Sequence, residues 1–503
     1  MAGLNRHRLL VAALLMYAAA FRLLVIDRPF HDDTEGHGSF FGVLARNYLR
    51  FGWSQTHGIP VLSAGQGPDT PIVLYPDHPP LVPLLITPVY ALFGVGEWQT
   101  RLPTSIATLA AIYVLYLLLK RHATPRIALI AAALYAAAPM SLYFGGLPEV
   151  VGMPLVLFVL LSTLCYLNFH EHPGLRTFVP LVVMFALAGL SDWPAFIIVP
   201  VFLVHFLVTR PRREWRWILA FGCTSCALFA ALYVYIALAT KAPWDWMVPL
   251  FLKHSTSRAD SPLTMRGWVV TAVAYNRARH TLPLVVAAGV WIIARGFPRR
   301  RSQPGATAAR ILIAWGLLHV LIGRHGVYEH EWWWSPLTPG IAVSAALIVD
   351  SLGAGVAAVL VVLFAGWTTA SAYRELYPAM RDEPYTTVEM GEAIRAAAPR
   401  PNDVALVVGA DFSPQWWFYG DRLLRLNIWS VEDFERRVHD DTAEVTYGFE
   451  QPSRAAGAGM VLPRVWARDL PDLRAYLEKR YPSIPLPPNL DGKFEVFDLR
   501  PAR

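Results

Sequence analysis

The chain is 503 residues long, 55% hydrophobic and only 16% charged. A soluble domain carries about 25% charged residues, so this composition excludes an ordinary soluble protein and points to a polytopic membrane protein. The net charge of +7 does not mark a nucleic-acid partner, because the arginines gather in short loops between apolar runs, as the positive-inside rule requires.

Arg6 and Arg8 precede the first apolar run, 9–26. Arg22 interrupts that run and no small-residue cleavage site follows, so it reads as an uncleaved first helix with a cytoplasmic N-terminus. From Asp27 to Arg101 the chain turns polar, at what should be the outer face. This stretch holds Asp32-Asp33-Thr34-Glu35, then Tyr75-Pro76-Asp77-His78-Pro79-Pro80-Leu81, then Glu97-Trp98-Gln99-Thr100-Arg101. Within it, 39–51 has apolar residues at helical spacing opposite Arg46 and Arg50, which predicts a helix lying in the membrane interface. The run 81–93 is short for a span and contains Pro83 and Pro88. If it crossed, Lys120, Arg121 and Arg126 would fall outside, so it too is placed in the interface, and 102–119 becomes the second crossing.

Further crossings are expected over 127–144, 150–169, 178–190, 194–208, 217–239, 282–294, 311–322, 338–349 and 355–372. The total is about eleven spans, with the arginine runs 210–216 and 295–301 on the inner side as topology determinants. A long outer segment, 241–280, is rich in Trp, Pro and charge. Beyond 372 the composition becomes that of a soluble domain. Helices are predicted over 385–398, 430–438 (capped by Ser430) and 469–481, with strands over 404–408 and 494–499. The fold class is therefore an all-α polytopic domain, 1–372, followed by a small extracytoplasmic α/β domain, 373–503. Gly409-Ala410-Asp411 lacks the G-x-G-x-x-G spacing of a dinucleotide site. Cys165, Cys223 and Cys226 lie inside apolar runs and read as small buried hydrophobes rather than metal ligands.

Carboxylates such as Asp32, Asp33 and Glu35 can act as general base for an acceptor hydroxyl or hold a divalent cation; alone they would equally suit a solvated acidic loop. Asp77 and His78, stiffened by flanking prolines, add a second carboxylate and an imidazole suited to phosphate or metal. The candidate metal ligands are Asp33, Asp77 and His78. Arg101, at the start of a helix, can grip a lipid phosphate or simply snorkel to headgroups. Glu149 comes out on the same face as Asp33 in this topology. So do His325, Tyr328, Glu329, His330 and Trp332 to Trp334, an interfacial belt or a platform for sugar or prenyl groups. Asp192-Trp193-Pro194 and Trp244-Asp245-Trp246 read as interface anchors.

With these residues the chain resembles the GT-C glycosyltransferases, and among them the protein O-mannosyltransferase and aminoarabinose-transferase (ArnT-like) families. These have an acidic motif early in the first outer loop, an H-P-P-L or E-K-P-P-L motif later, and an arginine opening the next helix. The counterparts are Asp32 to Glu35, Asp77 to Leu81, and Glu97 to Pro103, with Glu149 on a second acidic turn. The resemblance covers residues 1–210. It implies an inverting transfer of a sugar from a polyprenyl-phosphate carrier to a hydroxyl of a protein, lipid or glycan acceptor, on the outer face of the plasma (inner) membrane. It further implies that Asp33 or Asp32 deprotonates the acceptor and that Arg101, with His78, stabilises the departing phosphate. Asp77, Glu35 and Glu149 would orient the sugar or coordinate a divalent metal. The family pattern has adjacent Asp-Glu where this chain has Asp-Asp-Thr-Glu, so the base is not carried over uniquely. A transporter or flippase is the competing class. It would spread polar residues through the helices rather than collect them on one face.

Overall fold

The computed structural model describes residues 2–31, 35–65, 72–149, 151–258, 261–295, 303–376, 385–409, 413–445, 449–452 and 457–500. The expected crossings are helices: Ala2–Val25, Glu97–His122, Leu155–Glu171, Leu175–Ser191, Ile198–Thr209, Trp215–Thr240, Leu282–Arg295, Ala306–Ile322, Thr338–Ser351 and Ala354–Leu376. The run 127–144 is two helices, Pro125–Ala137 and Pro139–Phe144, because Ala138 adopts an extended conformation ahead of a proline. Five apolar helices, among the described residues, are long enough to cross a bilayer. With the shorter apolar helices around them, they make this an integral membrane protein. The chain divides into two compact units.

The first unit comprises Met1–Ile26, Pro76–Val82 and Arg101–Leu376. At its centre Thr338–Ser351 packs against Pro125–Ala137, Leu282–Arg295 and Ala306–Ile322. Gly340, Ala342, Ser344, Ala345 and Ala346 make this possible, since small residues let helix backbones approach. A methyl group on Gly340 would lie 2.8 Å from the Ile313 nitrogen. Ala354–Leu376 instead exposes Val356, Val359, Val362 and Leu363, an apolar face suited to lipid. Cys223 and Cys226 are also exposed, on Trp215–Thr240, which corrects the expectation that they are buried. Arg22 is buried and donates to the Ala18 carbonyl at 2.8 Å and the Ser141 carbonyl at 2.9 Å. A guanidinium held in this way ties the first helix to Pro139–Phe144.

The second unit comprises Asp27–Tyr75, Pro83–Thr100 and Tyr377–Arg503. Its sheet runs in the order β4-β3-β2-β1-β5-β6, where β1 is Val404–Val408, β2 Leu423–Ile428, β3 Thr442–Val445, β4 Phe449–Pro452, β5 Gly457–Pro463 and β6 Phe494–Asp498. Strand β1 pairs in parallel with β2 and β5, and the remaining pairings are antiparallel. The helix Gly36–Phe51 does not lie free in an interface. Phe40, Phe41, Val43 and Leu44 are buried, and the helix packs on Pro414–Gly420. Its two cations are also taken up by protein: Arg46 and Arg50 both reach the Asp421 carboxylate at 2.8 Å. Leu81–Phe93 is a helix of 13 residues. It rises about 20 Å, short of the roughly 30 Å hydrocarbon core.

Candidate functional site

The acidic motif is tied down on both sides by what can be seen of it. Asp32 and Asp33 lie outside the described residues. Glu35 precedes the helix Gly36–Phe51, and its carboxylate forms a buried ion pair with Arg28 while accepting the His31 N–H at 3.1 Å. Phe30 is fully buried; its N–H donates to the Tyr419 hydroxyl at 2.8 Å and its carbonyl accepts from the Thr387 hydroxyl at 2.5 Å. Glu35, expected among the catalytic acids, is thereby engaged in closing the turn.

In the first unit, His78 is the residue around which chemistry collects. Pro76, Pro79 and Pro80 flank it in a loop that bends at Asp77 and His78, and the Trp193 indole N–H donates to the Asp77 carbonyl at 2.8 Å. The His78 Nδ1–H donates to Asp192 at 2.9 Å, and Asp192 is almost wholly buried. Asp192 ends Leu175–Ser191 and begins the 3-10 turn Trp193–Ile197. It makes no side-chain capping bond there, so its carboxylate turns to His78. This corrects the reading of Asp192 and Trp193 as interface anchors.

Burial opposes charge on His78. The Asp192 carboxylate beside it, helped by Asp77 and Glu149, outweighs that penalty and holds the imidazole above its ordinary pKa. Burial raises the Asp77 carboxyl in turn, against His78 and Lys253. His78 and Asp192 open onto a cavity of about 330 Å³ walled by Trp193, Phe229, Phe251 and Trp333, with His254 and His319 at its polar edge. A protonated imidazole in an apolar cavity is a site for an anion. Asp192→Asn is therefore expected to move the alkaline limb of any His78-dependent pH–rate profile to lower pH, because burial would then act without the carboxylate that offsets it. A profile superimposable on that of the unmodified protein would show that the His78 charge is not used.

Arg101 is buried and donates to the Ile26 carbonyl at 3.1 Å, fixing the end of the first helix. Glu149 is buried too, with Gly152 against its stem. His330 stacks on Trp332 at 4.6 Å between ring centroids, and the Tyr328 ring lies 6.1 Å from that of His325. Neither lines the cavity; of the tryptophan triplet, Trp333 does. Of the metal candidates, His78 spends Nδ1 on Asp192. Among the described residues no three His, Cys, Asp or Glu side chains are placed to hold a cation. The sequence reading missed Asp192, His254 and Arg28. Only Asp192 left a signal, as an acid beside Trp-Pro at a helix end.

Three comparisons bear on this arrangement. Residues 77–244 match the family model described as dolichyl-phosphate-mannose-protein mannosyltransferase. A Bacillus subtilis protein, YycA, named provisionally as a mannosyltransferase, is 31% identical over 187 residues, 36% of this chain and 25% of that protein. The match thus spans about a quarter of that relative's length. The fold is that of ArnT from Cupriavidus metallidurans, solved with undecaprenyl phosphate (TM-score 0.64, 16% identity, 97% of both chains). It is also that of the Archaeoglobus fulgidus oligosaccharyltransferase AglB, solved with an inhibitory peptide and dolichol-phosphate (TM-score 0.57, 12% identity, 95% of this chain and 72% of that one). The chain has the GT-C fold, a helical membrane domain with a small C-terminal sheet domain.

Proposed function

We propose that this chain is an inverting glycosyltransferase that moves a sugar from a polyprenyl-phosphate carrier to an acceptor hydroxyl on the extracytoplasmic side of the plasma (inner) membrane. The observation that carries the reading is the His78–Asp192 pair, a cation kept charged at the edge of an apolar cavity, within the stretch that matches the mannosyltransferase family model. The phosphate that links a sugar to a prenyl carrier is an anion such a cation would meet. The acceptor hydroxyl gives its proton to Asp33 or Asp32 as its oxygen attacks the anomeric carbon. The bond to the carrier oxygen breaks, and the phosphate leaves with its charge met by His78 and Arg101. Glu149 and Asp77 set the field around His78. Inversion follows from a single displacement. The N-terminus is cytoplasmic and the sheet domain extracytoplasmic in this reading, which puts the first loop on the same side as the acceptor.

The test is transfer of labelled sugar from polyprenyl-phosphate donors by membranes containing the protein. Arg101→Ala is expected to lower kcat/KM by about 10²–10³-fold, the range seen when one stabilising donor of a developing anion is removed. Loss of transfer with every donor tried, with the protein correctly inserted, would favour the transporter.

A further inference from the structure

The cavity beside His78 contains a second imidazole to which nothing yet gives a role. His254 lies near the end of the short helix Met247–Ser255, in the segment between Trp215–Thr240 and Leu282–Arg295. Its backbone is fixed, since its carbonyl accepts the His325 N–H at 3.0 Å. Its ring lies against Trp333, with centroids 4.6 Å apart. Trp333 is held just as firmly. Gly323 and Gly326 form a shelf under its ring, where a methyl on Gly323 would come within 2.9 Å, and His319 Nε2 donates to its carbonyl at 3.0 Å. On this rigid pair one polar atom is left over: His254 Nδ1 is buried and meets no partner among the described residues. Buried polar nitrogens are nearly always satisfied, and one left bare costs free energy comparable to a lost hydrogen bond.

Of the histidines at the cavity, His78 and His254 are pushed in opposite directions. Asp192 holds His78 above its ordinary pKa. Burial, then the positive neighbours His78, Lys253, Arg258 and His325, hold His254 down to about 3, so it stays neutral across the physiological range. A hydrocarbon chain in this cavity would fit the aromatic walls and leave Nδ1 stranded. A pyranose would satisfy both, with its C–H face on the Trp333 indole and a hydroxyl on the bare nitrogen, while the linked phosphate meets His78.

Resting on the transferase reading, we propose that this cavity receives the glycosyl-phosphate head of the donor, and that His254 is a residue that binds a sugar hydroxyl, with Trp333 as its platform.

The experiment compares polyprenyl-phosphate-mannose (then the glucose and arabinose conjugates) with the same polyprenyl phosphate lacking sugar. Binding is read by tryptophan fluorescence of the full chain in lipid nanodiscs, and transfer is read separately. His254→Phe keeps the stacked ring and removes the nitrogen. It is expected to weaken the glycosylated donor about tenfold in Kd and KM, the usual worth of one neutral hydrogen bond, while the sugar-free carrier binds as in the unmodified protein. His254→Gln, which retains hydrogen-bonding atoms, should recover most of that loss. The inference is overturned if His254→Phe leaves donor affinity unchanged, or weakens donor and sugar-free carrier equally. Donor binding that depends on His254 without any transfer would sink the transferase reading and leave this site standing.

Discussion

Asp33→Asn is expected to lower sugar transfer by about 10²–10⁴-fold, the range over which a positioned general base acts. The structure narrows the choice by elimination. Of the three acids in Asp32-Asp33-Thr34-Glu35, the third is already committed: Glu35 pairs with buried Arg28 and accepts the His31 N–H. With Glu35 so engaged, the transferase reading assigns proton abstraction to Asp32 or Asp33. The measurement is an initial rate at saturating donor and acceptor. A base acts only in the transition state, so kcat should fall while both KM values hold. Asp32→Asn should cost less. If Asp32→Asn is the inactivating change and Asp33→Asn the tolerated one, the roles are exchanged. If both variants turn over normally, the motif is not the base.

The second large effect is on stability. Glu35→Ala removes one carboxylate paired with the Arg28 guanidinium, in a place where both side chains are under 10% exposed. Breaking a buried pair by removing one partner costs about 3–5 kcal/mol, because a charge is left desolvated and uncompensated. The variant should therefore unfold at lower temperature in detergent and be cut sooner by protease. The double change Arg28→Met with Glu35→Leu should regain much of the loss, since apolar replacement of both partners removes the stranded charge. A single variant that melts with the unmodified protein would show that the pair holds nothing. Transfer in the double variant separates clasp from chemistry. If Glu35 only closes the turn, restored stability should bring restored turnover.

The membrane domain was legible because lipid imposes length and apolarity on each crossing, and those are local properties of a run of residues. The exception, the break at Ala138, is also local, and Pro139 announced it. The sheet was harder to read. β1 and β6 were visible as short apolar or alternating runs. β2 was hidden by a fully buried Arg425, whose guanidinium is satisfied by the Thr442 and Val438 carbonyls. β5 begins Gly457-Ala458-Gly459, poor strand formers chosen for space: a methyl on Gly459 would lie 2.5 Å from the Ala397 carbonyl oxygen. The helix Val431–Val438 was readable, since the Ser430 cap predicted from sequence accepts the Asp433 N–H at 3.0 Å. At the site, His78 stood out through its prolines, but its meaning depends on Asp192, which lies 114 positions away in sequence. His254 is flagged by nothing local, because its interest lies in a nitrogen left bare by tertiary packing.

The second unit also has a history in time. Asp421 joins Arg46 and Arg50 across about 370 positions of chain. At about 5–20 residues per second of synthesis, the helix Gly36–Phe51 waits roughly 20–70 s before the segment that covers it has been made. During that interval Phe40 already has Tyr75 against it, while the face that Pro414–Gly420 will cover stays open. A ribosome that stops short of Asp421 leaves that face uncovered and Arg46 and Arg50 without the Asp421 carboxylate.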